Sequence, residues 1–106
     1  KVAAQSHLPS RFLLAQLSRR AGENEAARGL FEEICSDSRF QDQSHGLRSR
    51  TLRALAVLYR IQGSLKEAIN YTAQEIELPL LNEADRARAQ RRLERFKQMA
   101  QHAQEN

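Results

Sequence analysis

Two stretches of the chain repeat each other at an offset of 41 residues. Leu14 answers to Leu55, Ala15 to Ala56, Leu17 to Leu58, Arg19 to Arg60, Gly22 to Gly63, Ala27 to Ala68 and Leu30 to Tyr71. Each copy reads as a helix, a glycine turn and a second helix. Apolar residues recur at spacings of three and four in both arms. Gly22 and Gly63 supply the left-handed conformation that ends a helix without strain. Such a unit cannot bury its apolar face alone, so neighbouring units have to cover it. The duplication therefore restricts the chain to stacked helix pairs, an all-α architecture.

Read in order, residues 1–7 are an Ala/Gln/Ser lead-in that resembles the tail of a preceding helix. Pro9 suits the first turn of a helix, where its missing N–H costs nothing. Phe12, Leu13, Leu14 and Leu17 then form an apolar stripe that runs up to Arg20. A second helix is expected from Asn24 to Cys35, with Ala26, Ala27, Leu30, Phe31 and Ile34 as its stripe. Residues 36–46 read as a polar loop, pinned to the body by Phe40. The third helix, about 47–61, carries Leu52, Leu55, Ala56, Leu58, Tyr59 and Ile61 on more than one face, so it should pack on two sides. Ser64 with Glu67 has the form of a capping box. It opens a fourth helix that runs to about Leu78, before Pro79. Asn82 and Asp85 start a fifth helix over 83–103, with Leu93, Phe96, Met99, Ala100 and Ala103 as its buried stripe.

The charge balance is basic, +4, and arginine supplies most of it, lysine occurring only at Lys1, Lys66 and Lys97. This suits an acidic partner, whether protein, nucleic acid or anionic surface. No apolar run approaches the roughly 20 residues that span a membrane. The chain opens on Lys1 rather than Met, as a fragment or processed product does. The expectation is a cytoplasmic domain, free or as the soluble part of a larger or membrane-anchored protein. A lone Cys35 allows no internal disulfide, and its apolar stripe favours an inert thiol. His7, His45 and His102 lack metal-ligand spacing, and neither a phosphate-binding glycine loop nor a Ser/His/Asp set is present. No enzymatic activity, metal or cofactor is expected.

The order Leu14-Ala15, Gly22, Ala27, Phe31 resembles the tetratricopeptide (TPR) repeat. So does the second copy, with Leu52, Leu55-Ala56, Tyr59, Gly63, Ala68 and Pro79. Leu52 stands where that family has tryptophan, and Ala15 or Ala56 where it has its first glycine. Ser18 replaces the tyrosine in the first copy, and Thr72 the phenylalanine in the second. The family's period is about 34 residues. The longer spacing here places the excess in the 36–46 loop. The resemblance implies a right-handed α-solenoid of antiparallel helix pairs in a single domain over 1–106. Its first repeat would span about 8–36 and its second about 47–81. The helix over 83–103 would be a cap or a half-repeat.

The family also implies protein–protein interaction, in a concave groove lined by the first helix of each repeat. By that resemblance the groove positions are Phe12, Gln16 and Arg19 in the first unit, and Arg50, Arg53, Val57 and Arg60 in the second. Helical geometry supports part of this independently. At 3.6 residues per turn Arg50, Arg53 and Arg60 fall within an arc of about 80°, away from Leu55 and Tyr59. Guanidinium forks on one face suit carboxylates or phosphates. TPR domains that clamp chaperone C-termini carry asparagines where this chain has Gln16 and Val57, which argues against that ligand. The function expected is thus an adaptor or scaffold that binds an acidic or amphipathic protein segment. Two alternatives stand beside it. One is nucleic-acid binding by the basic helix Arg48–Arg60 or Arg86–Lys97. The other is self-association through an open face of the last helix around Phe96 and Met99.

Overall fold

The structure, a computed structural model, describes residues 7–105, side chains up to Gln104. Five helices make it up: α1 (Leu8–Arg20), α2 (Asn24–Ser36), α3 (His45–Gln62), α4 (Leu65–Ile76) and α5 (Glu83–Glu105). A short 3-10 turn, Phe40–Asp42, lies between α2 and α3, and no strand occurs among the described residues. The expected helical tail before Pro9 falls, His7 apart, outside those residues.

Glycine ends the first helix of each copy in the same way. Gly22 and Gly63 take φ of 83° and 95°. At the first turn Glu23 donates its N–H to Ser18 O and Gly22 to Arg19 O; at the second Ser64 donates to Tyr59 O and Gly63 to Arg60 O. These paired bonds satisfy the carbonyls that a helix end leaves free. The starts of the helices differ more. Ser44 caps α3 by accepting the Leu47 N–H at 3.1 Å, so that helix begins two residues before the expected start. Asn82 caps α5 by accepting from Asp85 N at 2.8 Å. The capping box read at Ser64 and Glu67 does not form: Ser64 lies at φ −95°, ψ 78°, outside the extended geometry a cap needs, and its side chain accepts no bond. The fourth helix also stops at Ile76, short of Leu78.

Each helix packs chiefly on its neighbours in sequence, α1 on α2, α2 on α3, α3 on α4 and α4 on α5. The result is elongated, 50 × 30 × 22 Å. Alanines let the paired helices approach closely. Ala15 and Ala27 are fully buried in the larger cluster with Phe31, Ile34, Leu52 and Leu55; Ala56 and Ala68 are fully buried in a smaller one with Phe96. Helix α3 buries residues on both sides, as its pattern requires, including Leu47, Leu52, Leu55, Ala56 and Leu58. Phe40 is 4% exposed and joins the larger cluster, so it does anchor the connecting segment. Full burial of a side chain such as Phe31 contributes about 1.5–3 kcal/mol.

Three apolar stripes are only partly buried. Leu13, Leu14 and Leu17 of α1 are 59%, 53% and 51% exposed, and Ile61 near the end of α3 is 55% exposed. On α5, Ala89 and Phe96 are buried, Leu93, Met99 and Ala100 lie half-buried, and Ala103 is exposed.

Candidate functional site

The first helix of each copy holds the residues singled out for binding, and the fold treats them unequally. On α3, Arg50 and Arg60 are exposed. Neither has an ion-pair partner among the described residues. Val57, between them on the same face, is half-buried. On α1, Gln16 and Arg19 are half-buried, and Phe12 packs edge-on against Phe31 at a centroid distance of 5.6 Å. Phe12 therefore serves the core as well as the surface.

Arg53 has a different task. It reaches Glu75 of α4, donating to Oε2 from Nε at 3.2 Å and from Nη2 at 3.0 Å. Arg92 of α5 donates to the other oxygen of the same carboxylate at 3.0 Å. Glu75 is fully buried, so one carboxylate joins three helices. Two cations around it keep a buried charge from standing alone, which would be costly. The guanidinium of Arg53 is thus occupied within the domain, and Arg50 and Arg60 remain as the open cations of the predicted trio.

Sequence reasoning missed this junction, yet a signal was present. At the 41-residue offset Arg53 replaces Phe12, Thr72 replaces Phe31 and Glu75 replaces Ile34. All three positions exchange apolar for polar, and two of them, Arg53 and Glu75, bond each other directly.

Tyr59 is a second connector. Its hydroxyl donates to Glu32 of α2, its ring stacks on Tyr71 of α4 at 5.7 Å, and the Arg28 guanidinium lies 5.3 Å over its face. Cationic groups over aromatic rings are attracted by the ring quadrupole. The basic residues of α5 also divide. Arg86 donates to the carbonyls of Ile76, Leu78 and Leu81 and so clasps the turn between α4 and α5. Arg88 pairs with Asp85, while Arg91, Arg95 and Lys97 are exposed.

Cys35 is half-buried, and burial followed by the Glu32 charge raises its thiol above the ordinary range. A protonated thiol is a poor nucleophile. In the α2–α3 connection Asp37 accepts from the backbone and side chain of Arg39, at 2.8 and 2.9 Å. Those hydrogen bonds hold its carboxyl well below the usual carboxylate range. No helix among the described residues is long and apolar enough to cross a membrane.

Neither a protein-family model, nor a curated protein, nor a solved structure matches this chain.

Proposed function

We propose that the chain is a non-catalytic interaction domain, a TPR-like right-handed solenoid that binds an acidic or amphipathic segment of another protein. The segment would lie along the first helices of the two copies, with Arg19, Arg50 and Arg60 meeting its carboxylates and Phe12, Gln16 and Val57 lining the path. The observation that carries this reading is the pair Arg50 and Arg60, exposed on one face of α3 and without an ion-pair partner among the described residues. Arg53 belongs to the framework in this reading, because Glu75 holds its guanidinium. Open guanidinium forks bind carboxylates bidentately, which gives direction as well as attraction.

Affinity capture from cells that express the protein tests it. The wild-type domain is compared with a folded variant carrying Arg19→Glu, Arg50→Glu and Arg60→Glu. A protein captured by the wild type and lost in the variant supports the groove, and its binding should weaken as salt rises. Equal capture by both would refute the arginine-lined groove.

A further inference from the structure

The two copies differ most at the face of the first helix that points away from its own partner. In the second copy this face is Ala54, Leu55 and Leu58, exposed by 4%, 0% and 3%. Their counterparts at the 41-residue offset are Leu13, Leu14 and Leu17, each more than half exposed. The difference is position. Helix α2 lies against α3 and shares a cluster with Ala54, Leu55 and Leu58. No element among the described residues takes the equivalent place on α1.

From this comparison we infer that Leu13, Leu14 and Leu17 form a second docking surface, and that its occupant is an acidic amphipathic helix of a partner protein built like α2. The domain itself supplies the template. Helix α2 offers Leu30, Phe31 and Ile34 on its apolar side and Glu25, Glu32 and Glu33 around it. Its first turn meets the end of α3, where Asn24, Glu25 and Arg28 share a hollow with Leu58, Ile61 and Gln62. At the same offset Ile61 corresponds to Arg20 and Tyr59 to Ser18. A helix docked on α1 as α2 docks on α3 thus brings its first glutamate to Arg20, while Ser18 leaves open the space that the Tyr59 ring fills on α3.

Charge selects the same partner. Helix α1 carries no acidic residue, and Arg20 is the cation on the Leu13–Leu17 side, Arg11 being paired with Glu33 of α2 at 3.7 Å and Arg19 lying on the groove side. Two α1 helices face to face would oppose like charges. The α2 of a second copy is already enclosed between α1 and α3. The outer side of α5, where Ala87, Gln90, Arg91, Glu94, Arg95 and Gln98 gather, lacks large apolar groups to fill the stripe. A second copy is therefore a poor occupant, and an acidic helix a good one.

The probe is a stapled peptide with the sequence of residues 23–36, Cys35 replaced by Ser, because a free peptide of that length is barely helical in water. Titrated into the 13C-methyl-labelled domain, it should shift the methyls of Leu13, Leu14 and Leu17. Leu13→Ser with Leu17→Ser should weaken it tenfold or more while leaving the circular dichroism and melting curve unchanged. Arg50→Glu with Arg60→Glu should leave peptide affinity at this face within twofold, which separates this surface from the groove. Replacing the peptide's three α2 glutamates by Gln should also weaken it, most at low salt. Methyl shifts confined to α3 or α5 would overturn the inference, as would equal binding by the Leu13/Leu17 variant. So would a wild-type dimer in sedimentation velocity that this variant abolishes, since the occupant would then be a second copy.

Discussion

The two copies share a helix–glycine turn–helix order and differ in what fastens it. In the first, Phe12 meets Phe31 edge-on and Ile34 is fully buried, an apolar seam. In the second, the same three places hold Arg53, Thr72 and Glu75, an ionic seam that Arg92 completes from α5. The glycine turns are alike in both. The lesson is that the helix–turn–helix geometry is set by the alanines and glycines, which the copies share, while the seam can change chemistry as long as all of it changes together. A buried glutamate among unaltered Phe and Ile neighbours would not be tolerated.

The largest effect that could break this comparison is at the ionic seam. Arg53→Met with Arg92→Met leaves the fully buried Glu75 carboxylate without a cation and should cost about 3–5 kcal/mol in urea unfolding. The triple change Arg53→Met, Glu75→Leu, Arg92→Met should return stability to within about 1 kcal/mol of wild type, or exceed it. A mild effect of the double change alone would mean that the seam is held by something other than charge.

Next comes the contrast in coverage. Leu55→Ala should cost about 2–5 kcal/mol. Its counterpart Leu14→Ala should fall within about 0.5 kcal/mol of wild type, as surface changes do. Equal costs would show that α1 is covered after all.

The turns should behave alike where the seams do not. Gly22→Ala and Gly63→Ala force a side chain into the left-handed region and should each destabilise by about 1–2 kcal/mol. A clear difference between the two melting curves would separate the turns despite their matching hydrogen bonds.

The smallest effect belongs to the connections. Asp37, between α2 and α3, has its carboxyl depressed by Arg39, and Asp85, after the α4–α5 turn, has its own depressed by Arg88. A carboxyl whose folded pKa lies below its unfolded value adds stability that is present above the unfolded value, about 3.9, and is lost as pH falls through the folded one. Melting temperatures of Asp37→Asn should therefore sit slightly below wild type at pH 6 and converge with it as the pH falls below 4. Parallel curves down to pH 2 would remove Asp37 from the acid response.

Much of this fold was legible because its elements are short, periodic and punctuated. Gly22, Gly63, Phe40 and the Asn82–Asp85 start all behave as their residue types require. Periodicity, however, gives a stripe without telling what lies opposite it. Leu13, Leu14 and Leu17 read as an apolar stripe and stand in the open, and Ala103, read as buried, is exposed. A cap also needs a backbone angle that composition does not specify, which is why Ser64 failed and Ser44 succeeded. At the candidate site, helical phase groups Arg50, Arg53 and Arg60 on one side of α3. It could not reveal that Glu75, one helix away, holds the Arg53 guanidinium.

Because the helices touch mainly those next to them along the chain, very little loop entropy stands between the unfolded chain and its native contacts. Each hairpin of helices can close by itself and then serve as a platform for the next. Chains of such low contact order fold on the scale of about microseconds to milliseconds. The same geometry makes stability a sum of neighbour couplings, so that loosening at either end should fade along the stack instead of melting it at once.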